Sequence, residues 1–219
     1  MAYETILFDM DGVLLTGYHT DRAVYRQAAA ATLADFGVEI SGDPPAALVD
    51  PDTVAEVRAT CDELGLPAAP AWAYRERAAT TIENEGIVDG ERTSFPDTDV
   101  LSTLAEAATI GVVSNNRHGT VRFVADYFEW PVDAVRGRYP TLEEFAHLKP
   151  HPRLLLGELD RLGVEDALFV GDRRTDVEAA HRASIDAALL SRGGDPAPGE
   201  AEPKYHIESL SELPALVAD

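Results

Sequence analysis

Only one cysteine occurs in the 219 residues, Cys61, which excludes an intrachain disulfide and a cysteine-built metal cluster. It lies in VRATCDELG and reads as a half-buried helix position. Long apolar runs are missing too. No stretch of 18 apolar residues exists, so nothing reads as a membrane-spanning helix. The opening MAYETILFDMDG has neither a basic n-region nor a small-residue cleavage site, and the expected location is cytoplasmic.

Basic residues are also scarce. The 18 Lys and Arg stand against 39 Asp and Glu for a net charge of −21, and only Lys149 and Lys204 are lysines. Such a surface repels nucleic acid, which leaves neither nucleic acid nor membrane as an expected partner. An excess of this size self-repels in dilute salt, but at molar ionic strength the Debye length falls to about 3 Å and the penalty largely vanishes. A halophilic source is therefore expected. With 45% hydrophobic residues the chain is globular, and its length suits one large domain or a domain with an insertion.

What is present is an alternation of short apolar runs and amphipathic segments. TILFDM (5–10), IGVVSN (110–115), ALFVGD (167–172), DAALLS (186–191) and KYHIES (204–209) read as strands. DVLSTLAEAA (99–108), GTVRFVADYF (119–128), PRLLLGELDRLGV (152–164) and DVEAAHRAS (176–184) read as helices, with a further one in LSELPALVAD. Nearly continuous apolar strands between helices imply a parallel sheet covered on both faces, hence an α/β fold with a doubly wound core. From about Thr20 to Ile87 strand signals stop and helical ones take over, as for a small inserted helical unit. Gly37, Gly65 and Gly86 are expected as its C-caps, and Asp50-Pro51-Asp52 as an N-terminal cap with Pro in the first turn. GGDPAPGEAEP (193–203) reads as a loop.

The first strand ends oddly. ILFDMDGVLL carries Asp9 and Asp11 near its end, and burying a carboxylate is costly unless a cation meets it. Acids occupy roughly one position in six of this chain, so the pairs at Asp50/Asp52 and Asp97/Asp99 need be no more than solvated caps beside prolines. Only Asp9/Asp11 follows an apolar strand and runs into a glycine. The crevice beyond the carboxyl ends of parallel strands is where ligands bind. Other strands send polar groups to that edge: Ser114, Asn115 and Asn116 after VV, and Asp172 after FVG, with Asp176 four residues on. Singly these suit a turn and helix caps. Together, carboxylates converging on one edge require a cation, and hard oxygen ligands suit Mg²⁺. Lys149, in HLKPHPRLLL, then offers a compact ammonium able to touch both a carboxylate and a phosphoryl oxygen.

In order, FDMDGVLL, VVSNN, LKPHPRLLLGELDRLGV, ALFVGDRRTDVEAAHRA and the tail KYHIESLSELPALV resemble the haloacid dehalogenase superfamily, in particular its phosphatase branch similar to phosphoglycolate phosphatases. The resemblance implies a catalytic core of residues 1–16 and 91–219 and a helical cap at 17–90. It implies Asp9 as nucleophile, forming an aspartyl-phosphate, and Asp11 as acid and then base. Mg²⁺ would be held by Asp9, the Asp11 carbonyl and Asp172. Ser114, Asn115 and Lys149 would bind the phosphate of a small phosphorylated metabolite, with Asp176 in support. An acid two residues after the nucleophile points to phosphoryl transfer rather than attack on carbon. Arg173 stands where such phosphatases often carry a small hydroxyl or glycine residue. His19, Arg22, Trp72, Tyr74 and Arg75 are candidates for reading the substrate, although packing or solvation is the simpler reading of each. Arg117 and His118 suit either the leaving group or a helix cap. A phosphosugar mutase and a catalytically silent interaction module are the alternative readings, and a monomer is the default.

Overall fold

The computed structural model describes residues 3–193 and 201–217. Its chain runs β1 (Thr5–Phe8), α1 (Arg22–Asp35), α2 (Ala46–Val49), α3 (Val54–Glu63), α4 (Ala68–Val88), α5 (Val100–Ala105), β2 (Thr109–Arg117) and α6 (His118–Tyr127). It continues β3 (Ala134–Arg138), α7 (Leu142–Phe145), α8 (Arg153–Leu162), β4 (Leu168–Gly171), α9 (Arg174–Arg182), β5 (Asp186–Leu190), β6 (Tyr205–Ile207) and α10 (Leu213–Val217). The strands form one sheet in the order β3-β2-β1-β4-β5-β6, with every neighbouring pair parallel. Among the described residues no helix is long and apolar enough to cross a membrane.

Alternation along the strands builds a core on each face. Ile6 and Phe8 point to one side with Ile110, Val112, Leu168 and Val170. Leu7 points to the other with Val113, Phe169 and Leu189. A strand buried on both faces cannot alternate apolar with polar, which is why β1 and β4 read as continuous apolar runs. Each fully buried Phe, Leu or Ile here contributes about 1.5–3 kcal/mol. The helices between β1 and β2 gather a core of their own around Leu33, Leu48, Val57, Cys61 and Trp72, joined by Leu142 and Phe145 of α7.

The sheet order reverses at β1. β2 and β3 extend to one side of it, and β4 then returns on the other, so the crevice between the β1 and β4 ends is a topological switch point.

Several local expectations are corrected. β3 was not anticipated: its sequence AVRGR is too polar to read as a strand, because as an edge strand it turns Arg136 and Arg138 toward Glu144 and Glu76. Gly86 does not end α4. The helix runs on to Val88, the left-handed turn falls at Gly90 with φ +86°, and the missing β carbon of Gly86 makes room for the Glu91 carboxylate. The cap of α3 is Thr53 rather than the Asp50-Pro51-Asp52 segment. Its hydroxyl accepts from Glu56 N at 3.2 Å, a Thr three residues before a Glu being the better reciprocal cap. Asp97 is no solvated cap: it accepts from both Arg192 Nη atoms at 2.8 and 2.9 Å and from Ser209 Oγ and Leu210 N at 3.0 Å each. Burial alone would raise its carboxyl, but these donors hold it below the ordinary range. Cys61 is fully rather than half buried. Within the predicted loop at 193–203, residues 194–200 lie outside the described residues.

Candidate active site

Beyond Phe8 the backbone still follows the sheet for one residue, Asp9 N donating to Val170 O at 2.9 Å. It then folds into a tight turn in which Met10 O accepts from the amides of Leu14 and Leu15, both at 2.9 Å. Gly12 makes this turn possible at φ +82°, and a β carbon there would run into the Asp172 carboxylate. Gly12→Ala is therefore expected to cost about 1–3 kcal/mol in chemical denaturation, since it combines a left-handed alanine with a displaced acid. A stability equal to the parent protein would mean the turn has slack.

The sheet edge brings the predicted residues together. Lys149 is buried, and its Nζ lies 3.0 Å from Asp9 Oδ1 and 2.7 Å from Asp176 Oδ1. It also donates to Val113 O at 3.3 Å and stands 4.8 Å above the Phe169 ring. Burial alone would lower its pKa, but Asp176 and Asp9 outweigh that and keep the ammonium charged. Asn115 fixes the backbone that carries it: Lys149 N donates to Asn115 Oδ1 at 2.7 Å and Asn115 Nδ2 donates to Lys149 O at 3.2 Å. Ser114 is buried beneath, its Oγ accepting from Asn116 N at 3.2 Å.

Asp9 Oδ1 accepts from Met10 N at 2.8 Å as well as facing Lys149. Both contacts fall on one oxygen, so Oδ2 has no donor among the described residues. One oxygen each from Asp9, Asp172 and Asp176 lies within 4.8 Å of the others, a set that can hold a metal ion. Three acids this close need a cation beyond Lys149. Asp172 shows the deficit, for its Oδ1 is buried with no hydrogen-bond partner among the described residues and its carboxyl is pushed from 3.8 up to about 7 by burial, then by Asp9 and Asp176. Hard, acid-rich ligands of this kind fit a small divalent cation. Asp176 also accepts from Arg173 N at 3.0 Å, which anchors it at the first turn of α9, and glycine at 171 leaves it room. Arg173 itself reaches across to Tyr18 O, with its Nε 3.9 Å from Asp172.

The Asp11 side chain turns the other way. Arg92 Nη2 donates to its Oδ1 at 2.6 Å and Asn116 Nδ2 to its Oδ2 at 3.0 Å. Burial, with Glu83 and Asp9 nearby, raises the carboxyl above the ordinary range despite Arg92.

Asp9, Asp11, Ser114, Asn115, Lys149 and Asp176 line one cavity of about 530 Å³. Its opposite wall comes from the helical segment and β3, with His19, Arg22, Tyr25, Trp72, Arg75 and Arg138. Of the candidate reading residues, then, only Tyr74 lies off this wall, where its ring meets Phe36 edge-on. Arg117 pairs with Glu83 away from it, and His118 opens α6 beside a separate cavity. Arg92 and Arg138 carried no motif. Their one sequence signal is that each stands in a stretch otherwise poor in apolar strand character, GERTSF and VRGRYP.

A doubly wound parallel sheet with acids and one lysine gathered at its switch point is the plan of an α/β enzyme. The chain belongs to the haloacid dehalogenase-like hydrolase family, whose model matches residues 3–184. It is 37% identical to phosphoglycolate phosphatase 1 of Pseudomonas aeruginosa, over 95% of this chain and 77% of that protein. It is 34% identical to D-glycero-beta-D-manno-heptose-1,7-bisphosphate 7-phosphatase of Salmonella typhi over 85 residues, which are 35% of this chain. That match spans 45% of the length of the heptose-bisphosphate enzyme. Among solved structures, the 2-haloacid dehalogenase of Pseudomonas syringae pv. tomato superposes with a TM-score of 0.65 at 23% identity, covering 99% of this chain and 98% of that one. That likeness is one of fold.

Proposed function

We propose that this chain is a Mg²⁺-dependent phosphomonoesterase acting on a small phosphorylated metabolite, similar to phosphoglycolate phosphatases, with residues 17–90 as a cap over the site. The observation that carries this reading is the placement of Asp9, whose Oδ1 faces Lys149 at 3.0 Å while its other oxygen has no donor among the described residues, in a cavity bordered by arginines. In a protein of net charge −21, Arg22, Arg75, Arg138 and Arg173 on the border of this cavity give an entering phosphate dianion cationic groups to meet.

Asp9 attacks phosphorus in line, the bond to the ester oxygen breaks, and Asp11 gives that oxygen its proton. A water then attacks the aspartyl-phosphate, Asp11 takes a proton from it, and the bond from phosphorus to Asp9 breaks to release phosphate. Lys149 and Ser114 hold phosphoryl oxygens, and Asn115 keeps Lys149 in place. Asp176 steadies Lys149 and shares the acid cluster. Asp9 and Asp172, with the Asp11 carbonyl, would hold the cation, which would supply charge neutralisation as dianion meets carboxylate.

Phosphate release from p-nitrophenyl phosphate and a panel of phosphometabolites, with Mg²⁺ at low and multimolar KCl, tests the reading. No release from any ester at either salt level would refute it, and isomerisation without release would indicate a mutase.

The acid cluster makes a separate prediction. Without a cation, folded Asp172 keeps its proton up to about pH 7, whereas in the unfolded chain it ionises near 3.8. The stability this contributes is complete below 3.8 and is lost as pH rises through about 7. A divalent cation competes with that proton, so the rise in Tm on adding Mg²⁺ is expected to be larger at pH 8 than at pH 6. Equal shifts at both pH values would remove Asp172 from the ligand set.

A further inference from the structure

The general acid of the proposed reaction is held by a residue that belongs to no motif. Arg92 lies in the return segment after α4, where the chain runs back beside the segment leaving β1. Thr16 N donates to Thr93 O at 2.8 Å and Phe95 N to Leu14 O at 3.0 Å, so the two crossings pair as a short ribbon. From this ribbon the Arg92 guanidinium spreads over four acceptors. Nη2 donates to Asp11 Oδ1 at 2.6 Å and to Gly17 O at 3.1 Å. Nε donates to Thr16 O at 2.7 Å, and Nη1 to Glu83 Oε1 at 2.9 Å. Glu83 sits on α4 and also receives the Thr20 hydroxyl at 3.2 Å and the Arg117 guanidinium. The Arg92 and Asp11 side chains are 13% and 12% exposed, so water competes weakly for these bonds. Gly17 has φ +83°, and a β carbon there would come within 3.3 Å of Arg92 Nε, so the glycine lets backbone and guanidinium close up.

We propose that Arg92 is a positioning residue that fixes the Asp11 carboxylate in the orientation from which it reaches the leaving oxygen, and ties that orientation to the placement of α4 over the cavity. The proposal rests on the phosphomonoesterase reading. A free aspartate side chain samples several rotamers. With Oδ1 on Arg92 from the ribbon and Oδ2 on Asn116 from β2, its plane is set by two separate elements. The planar fork matters because Asp11, Thr16 O, Gly17 O and Glu83 lie around it in different directions, and an ammonium of the same charge meets such a set poorly.

An acid acts when the ester bond breaks, and how much it contributes depends on the leaving group. An alkoxide needs the proton, whereas p-nitrophenolate departs without it. Because kcat/KM covers the steps through that first departure, displaced acid shows as a selective loss on alkyl esters. Wild type, Arg92→Gln and Arg92→Lys are to be compared in kcat/KM on the best alkyl phosphomonoester of the panel and on p-nitrophenyl phosphate, with Mg²⁺ present. The ratio of alkyl to aryl kcat/KM is expected to fall about tenfold in Arg92→Gln and about threefold in Arg92→Lys. Equal losses on both esters would make Arg92 a merely structural link and overturn the proposal while leaving the enzyme reading intact. If circular dichroism shows Arg92→Gln unfolded, the ratio in Arg92→Lys decides by the same criterion. A folded wild type that hydrolyses neither ester overturns the enzyme reading, and this proposal with it.

Discussion

Asp9→Asn is expected to lower phosphate release by at least about 10³-fold on every ester, with Tm equal to or above that of the parent protein. The amide is nearly isosteric, and its oxygen can still accept from Met10 N, which lies 2.8 Å from Asp9 Oδ1. What disappears is the anionic oxygen that attacks phosphorus, and no other carboxylate in the cavity sits in the same place. Asp176 is tied to Lys149 and Arg173, and Asp11 to Arg92 and Asn116. Stability moves the other way because Asp9 is one of the charges that raise the Asp172 carboxyl. Its removal relieves repulsion inside the acid cluster, so lost turnover with an undiminished Tm separates chemistry from folding. Turnover within about tenfold of wild type would remove Asp9 from the nucleophile's role.

The sequence discloses those parts of this arrangement that are local. Asp9 and Asp11 stand out because a strand buried on both faces leaves its polar residues to the strand end, and the same logic exposes Ser114, Asn115 and Asp172. Lys149 is visible because lysine is nearly absent from the chain. Partnerships across the fold are a different matter. Arg92 and Asn116 meet Asp11 from 81 and 105 residues away, and nothing in GERTSF announces that its arginine closes on the first strand's turn. Asn115 reads as a phosphate neighbour, yet its side chain is spent on both backbone groups of Lys149, a contact that exists only once β2 and the segment before α8 are adjacent. β3 escapes for a related reason. Its arginines are satisfied by Glu144 and Glu76, so a strand rich in charge is stable where local pattern argues for a loop. The arginine side of the cavity is legible only in part: Arg22 and Arg75 stand among the candidates, whereas Arg138 comes from an edge strand tied to Arg75 through Glu76.

Lys149→Met should do more damage to stability than any of the other changes considered above. The side chain is almost as long and fills much of the same buried space, but the ammonium that stands over the Phe169 ring and faces Asp9 at 3.0 Å and Asp176 at 2.7 Å is gone. Two buried carboxylates are then left with Asp172 beside them and no counter-charge, and breaking a buried pair on one side costs about 3–5 kcal/mol. Because the cost comes from ionised carboxylates, the gap to wild type narrows as pH falls and Asp176, whose carboxyl burial already raises, takes up its proton. Mg²⁺ supplies part of the missing charge, so the variant's Tm responds to the cation more steeply than the parent's. Multimolar KCl does not restore it, since buried charges are screened far less than surface ones. Turnover falls by about 10²–10³-fold even where Mg²⁺ restores the fold, because the ammonium that would hold a phosphoryl oxygen beside Asp9 is gone. Thermal melts at pH 5 and pH 8, with and without Mg²⁺ and multimolar KCl, check the stability changes, and phosphate release in Mg²⁺ checks the turnover. A variant as stable as wild type at pH 8 in chelator would show that the acids do not depend on Lys149 for their charge balance.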